Sequence, residues 1–182
     1  PKTTARVTIP SPTVFTGING DMTFAPEAGR TVWLSDVSTG PGGFVKEGAG
    51  ALYLSNTNVF VGTADIQAGT CTVAVAGCLT QCTNLLVAAD AHLTLQRNGA
   101  ALNTNLWLKV AADGKVHLDY TGEVSVSRLV LGGYDCPGRG RRYGSAAHAS
   151  AIDVAKDDFL TGTGVLVVVG PQGPEGTVIS LK

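Results

Sequence analysis

The fold is decided by residues 42–73, which read Gly42-Gly43-Phe44-Val45-Lys46-Glu47-Gly48-Ala49-Gly50-Ala51-Leu52-Tyr53-Leu54-Ser55-Asn56-Thr57-Asn58-Val59-Phe60-Val61-Gly62-Thr63-Ala64-Asp65-Ile66-Gln67-Ala68-Gly69-Thr70-Cys71-Thr72-Val73. Leu52 and Leu54 share one parity around Tyr53, and Cys71 and Val73 share one around Thr72. Gly48 and Gly50 precede the first run, Asn56 and Asn58 follow it, and Gly69 opens the next. Short alternating runs bounded by such residues are half-buried strands.

The same period continues outward. Leu93 and Leu95 alternate with His92 and Thr94; Val116, Leu118 and Tyr120 alternate with Lys115, His117 and Asp119; Val124, Val126, Leu129 and Leu131 extend the series. No segment keeps helical spacing beyond a turn, and Ala147 to Phe159 reads as a loop with at most one turn. The chain is predicted to be all-β. Asn98-Gly99 and Asp113-Gly114 are hairpin candidates, the second between Leu106-Trp107-Leu108-Lys109-Val110 and Lys115-Val116-His117-Leu118. Elsewhere single glycines or asparagines join the runs, which suits a coil that bends at each corner and stacks a new strand on the last.

The 182 residues are 44% apolar and only 15% charged, with 13 Lys plus Arg against 14 Asp plus Glu. That balance excludes an electrostatic nucleic-acid binder and argues against disorder. The 24 glycines mean many turns. The longest apolar run, Val165-Leu166-Val167-Val168-Val169, has strand length and falls far short of the ~20 residues of a membrane helix. The chain opens on Pro1, consistent with removal of a signal peptide, and its four cysteines favour an oxidised protein outside the cell.

Residues 42–73 resemble the autotransporter-associated β-strand repeat, a family that reads glycine-rich bend, Lys-x-Gly-x-Gly, a Leu-x-Leu strand, an Asn-x-Tyr-x-Gly corner and a strand ending Ala-Gly-Thr-Leu. Phe60 stands at the Tyr position and Cys71 at the last Leu. Leu129-Val130-Leu131-Gly132-Gly133, Arg142-Tyr143-Gly144 and Thr161-Gly162-Thr163-Gly164-Val165-Leu166-Val167-Val168 resemble the longer pattern of the same secreted proteins. The resemblance implies a right-handed parallel β-helix over residues 17–169, displayed outside the cell. On that fold Gly48, Gly50 and Gly69 sit at corners, as do Asn56 and Asn58, since Asn tolerates left-handed backbone. The inward ladder is predicted to comprise Leu52, Leu54, Ile66, Cys71, Val73, Leu93, Leu95, Leu106, Leu108, Val116, Leu118, Leu129, Leu131, Leu166 and Val168.

Chemistry-bearing patterns are sparse. His92 and His117 take the outward parity and His148 lies in a loop; none has a second His or a Cys at metal-ligand spacing. No cofactor fingerprint or nucleophile motif occurs, and no catalytic residue is assigned. Asp157-Asp158 suits a turn better than acid–base work. Asp113, Asp119 and Glu123 are expected to be solvated exterior charge unless the fold gathers them into a calcium site. Arg139, Arg141 and Arg142 form the one charge run, either a solvated loop tip or a grip for an acidic ligand. Cys78 and Cys82 flank Leu79-Thr80-Gln81 and are candidates for a local disulfide; of three connectivities, that bond with Cys71–Cys136 is preferred.

Both ends read as β-prone tails. Residues 1–16 carry Val7 and Ile9 before Pro10-Ser11-Pro12, expected to detach them from the body; residues 170–182 form a Gly/Pro tether leading to Val178, Ile179 and Leu181. No cap is evident, and open solenoid ends expose unpaired backbone. The expected function is therefore a non-catalytic extracellular structural subunit of a filament or surface layer, joined to other copies of itself by β-strand addition at the solenoid ends. A glycan-binding or adhesive module of a larger surface protein is the alternative, and a polysaccharide-active enzyme the weakest reading.

Overall fold

The computed structural model describes residues 6–8, 13–14, 22–35, 38–40, 42–57, 59–75, 77–96 and 102–170. Among them the chain is a parallel β-helix. Its first sheet stacks Arg6–Thr8, Thr31–Leu34, Ala51–Leu54, Thr70–Val73, His92–Leu95, Lys115–Leu118 and Leu160–Gly162, all parallel. The second stacks Met22–Phe24, Phe44–Lys46, Gly62–Ile66, Cys82–Val87, Trp107–Val110 and Arg128–Leu131 in the same sense. Between them, in chain order, run the short strands Thr13–Val14, Ser38–Gly40 and Val59–Phe60, a bridge from Leu79 to Leu102, and the pair Glu123–Val126 and Val165–Val168. Ala51 is in register with Thr70, 19 residues on, and His92 with Lys115, 23 residues on. Within the coils, sequence neighbours therefore do not pair; each inner strand bonds to the coil below and the coil above.

Period-two alternation fills the tube. Leu34, Leu54, Val73, Leu95 and Leu118 form one inward row, and Leu52, Cys71, Leu93, Val116 and Leu160 another. All fifteen residues predicted for the inward ladder are buried. Burying each aliphatic side chain contributes about 1.5–3 kcal/mol, so the rows are the main source of cohesion.

Several expectations are corrected. Asp113-Gly114 is no hairpin: it turns the chain from Trp107–Val110 in one sheet to Lys115–Leu118 in another, with Asp113 at φ 67°. Asn56 does not use left-handed backbone; its Nδ2 donates to the Ser35 carbonyl at 2.9 Å and its Oδ1 accepts from the Thr57 amide at 2.7 Å. Asn58 lies outside the described residues. Arg6–Thr8 and Thr13–Val14 pair with Thr31–Leu34 and Ser38–Gly40, so these strands belong to the solenoid and not to a detached tail.

A cap does exist. After Arg128–Leu131 the chain reverses at Gly132-Gly133, and Tyr134–Asp135 pairs antiparallel with the strand it just left. Arg141–Gly144 pairs antiparallel with Val165–Val168, and Val154–Ala155 joins its other side. A short 3-10 helix, Ala146–Ala151, follows Ser145, whose hydroxyl accepts from the Ala147 amide. Antiparallel strands end the stacking direction that parallel coils would otherwise continue.

Candidate functional site

The corner after Phe44–Lys46 explains the Lys-x-Gly-x-Gly pattern. Lys46 occupies the inward row with Ile66, Val87, Val110 and Leu131, and its side chain is fully buried. Its Nζ donates to the carbonyls of Glu47 at 2.7 Å, Gly48 at 2.8 Å and Ala68 at 2.9 Å. All three ammonium protons are thus used, while burial pushes the Lys46 pKa down. Gly50 lies so close to the previous corner that a Cβ would meet the Glu27 carbonyl oxygen at 2.3 Å. This is a structural centre with nothing exposed to a ligand.

All four cysteines are buried thiols, none of them in a disulfide. Cys78 Sγ donates to the Asn56 carbonyl at 2.9 Å, whereas Cys82 Sγ donates to the Phe60 carbonyl at 3.3 Å. The local bond expected between them is not formed, because the turn wraps around fully buried Leu79 and aims each thiol at a different carbonyl of the coil below. Cys71 and Cys136 are also unpaired. Cys136 sits beside Leu129, which stacks through Leu108 onto Leu85, a residue that follows Cys71 in the winding, so at least two coil steps separate the two cysteines. That is about 10 Å of axial rise, beyond the ~7 Å limit for Cα atoms of a disulfide. Desolvation pushes the thiols of Cys71 and Cys82 up to about 12.

The arginine run is dispersed. Arg141–Gly144 is a strand, so Arg141 and Arg142 point to opposite sides. Arg142 Nε bonds Glu123 Oε1 at 2.5 Å, and its amide donates to Asp153 at 2.8 Å. Arg141 borders a depression beside Tyr134 and Lys156. Arg139 lines a different cleft. The outer acids do not gather either: Asp119 accepts from Gln96 at 3.3 Å, and Glu123 is held by Arg142. Asp157 caps a turn, accepting from Ser145 Oγ at 2.7 Å and the Ala146 amide at 2.9 Å, which holds its carboxyl below the usual range. His92 and His117 are exposed, with His117 Nδ1 2.9 Å from Thr161 Oγ1, and His148 meets the Thr163 carbonyl.

The feature the sequence reading missed is the outward face of the second sheet near the cap. Register stacks Asn84, Trp107 and Arg128 in one outward row. Trp107 is 46% exposed, and the Arg128 guanidinium lies 4.7 Å from its ring centroid. Asp135, on the strand that turns back at Gly132-Gly133, takes Arg128 through Nε at 3.0 Å and Nη2 at 2.7 Å. The guanidinium is therefore clamped between a carboxylate and an indole. Two clefts meet at this ridge. One, of about 370 Å³, is lined by Trp107, Arg128, Asp135, Pro137, Arg139 and Gly170. The other, of about 390 Å³, is lined by Asn84, Leu86, Trp107, Lys109 and Arg128.

No family model, curated protein or solved structure matches the chain. No helix of the described residues is long and apolar enough to cross a membrane. The assembly candidates divide as well: Val7 pairs in register with Val32 of its own chain, whereas Ile9, Val178, Ile179 and Leu181 lie outside the described residues.

Proposed function

We infer that the chain is a non-catalytic structural protein of the cell exterior that assembles with copies of itself by β-strand addition at the first coil. One observation carries this reading: the two ends of the solenoid differ. Among the described residues, Arg6–Thr8, Thr13–Val14 and Met22–Phe24 each pair on one side only. At the other end antiparallel strands cover Arg128–Leu131 and Val165–Val168, and only Leu160–Gly162 is left pairing on one side.

The first-coil edge has a defined donor and acceptor. The Met22 amide donates to Gly43, and the Phe24 carbonyl accepts from Glu47, so Thr23 directs its own amide and carbonyl away from the solenoid. A β-prone segment, Thr177-Val178-Ile179-Ser180-Leu181, follows the tether Gly170-Pro171-Gln172-Gly173-Pro174-Glu175-Gly176. That segment of one copy, laid on the first-coil edge of the next, gives a head-to-tail polymer that the cap does not obstruct. The carboxylates at the cap are engaged, Asp135 by Arg128, Glu123 by Arg142 and Asp157 by Ser145, so this reading gives them no acid–base role.

Sedimentation and negative-stain microscopy of the full chain test this, beside Thr23→Pro and a deletion of residues 170–182. Proline on an edge strand removes the outward amide and leaves the ladder to the next strand intact. Concentration-dependent polymers that both changes reduce to folded monomers are expected. Polymers that survive both changes, or a full chain that stays monomeric at every concentration, overturn it.

A further inference from the structure

We propose that the paired clefts on either side of the Trp107–Arg128 ridge bind a carboxylated glycan, with one sugar ring in each. The argument uses residues other than those of the assembly edge. An indole nearly half exposed on the outward row of a parallel sheet departs from the polar exteriors around it, and it is held rigidly. Its strand bonds on both sides, and Arg128 is fixed above it by two hydrogen bonds from Asp135. With Arg128 over one face, the exposed remainder of the indole is the aromatic surface left to meet the C–H side of a sugar ring.

The size fits the same class. The clefts, at about 370 and 390 Å³, each have room for one ring and share Trp107 and Arg128 as a common wall. Asn84 lies on the same row for hydroxyl contacts, and Asp135 accepts on the opposite side. The charge selects among sugars. Counted once each across the two clefts, Arg128, Arg139 and Lys109 stand against one carboxylate of the lining, Asp135, which pairs with Arg128. Asp65, two coils away along the Lys109 row, borders a separate depression with Lys109 and accepts from Gln67. A net positive pair of clefts favours a ring bearing a carboxylate, which guanidinium and ammonium groups recognise directly.

The test is titration of the full chain with tetragalacturonate, with a sialic-acid tetramer, and with neutral maltotetraose, followed by calorimetry and tryptophan fluorescence. At least one acidic tetramer is expected to bind and perturb the fluorescence, with weaker binding at high salt; which one responds distinguishes uronate from sialate. Trp107→Ala is expected to lower affinity about tenfold. Lys109→Ser is expected to weaken the acidic ligand about threefold, with the thermal midpoint unchanged. A second variant, Arg139→Ser, probes the other cleft independently. The proposal is overturned if neither acidic tetramer binds at millimolar concentration, if maltotetraose binds equally well, or if Trp107→Ala binds as the parent does.

Discussion

Lys46 Nζ and the Ala68 carbonyl oxygen, 22 residues apart in the chain, lie 2.9 Å from one another. The bond ties one corner of the solenoid to the corner of the coil above it. It also explains how a lysine occupies a position that the alternation reserves for an aliphatic side chain. The ammonium is buried, yet three carbonyls replace the water it gave up.

Replacing that lysine removes the donor and strands the carbonyls. Lys46→Met keeps most of the apolar stem but leaves three corner carbonyls without their partner. A loss of ~3 kcal/mol in chemical denaturation is expected. A variant as stable as the parent would show that water satisfies the corner instead.

Corner glycines differ in what they tolerate. A Cβ at Gly50 would stand 2.3 Å from the Glu27 carbonyl and 2.6 Å from that of Arg30, both backbone atoms that cannot swing aside. Gly133, at φ 87°, has nothing within 4 Å. Gly50→Ala is therefore expected to cost upwards of ~3 kcal/mol or to abolish folding, and Gly133→Ala only ~1–2 kcal/mol. Equal thermal shifts for the two would refute the close stacking of corners.

The thiols supply a chemical test of burial. Cys71 and Cys82, raised to about 12, carry almost no thiolate at pH 8. The folded protein is expected to leave both unmodified by a thiol reagent, and denaturant to release all four cysteines for reaction. Fewer than four reactive thiols after denaturation without reductant would reveal a disulfide.

Acid is expected to loosen the cap before the coils. Asp157 has its folded pKa lowered by the Ser145 hydroxyl and the Ala146 amide. Its stabilisation is complete above the unfolded value of 3.8 and fades as pH falls through the lower folded value. Hydrogen exchange at residues 145–157 should accelerate in that window, and Asp157→Asn should remove the pH dependence. Exchange that stays flat in the parent would place the cap's stability elsewhere.

The inward rows were legible because period two survives in the strands from Leu52 to Leu131, and a burial pattern is all that such rows require. Lys46 was legible only as a motif, since nothing in the alternation says that an inward lysine has three carbonyls waiting. The cap escaped notice for the opposite reason. Tyr134 and Asp135 are both exposed, so their strand carries no alternation to detect. Arg139, Arg141 and Arg142 looked like one cluster because adjacency in sequence hides the opposite sides of a strand. Asp113-Gly114 fixes a turn of the backbone, but the partner of the strand that follows is set by the coil below it.

The parallel winding itself is tested most directly by interstrand proton–proton contacts in solution around that turn. Leu108 is predicted to neighbour Leu85 and Leu129, and His117 to neighbour Thr94 and Thr161, with no ladder joining residues 107–110 to residues 115–118. Contacts mirrored about Asp113-Gly114, linking Val110 to His117 and Leu108 to Asp119, would mean a hairpin and contradict the solenoid.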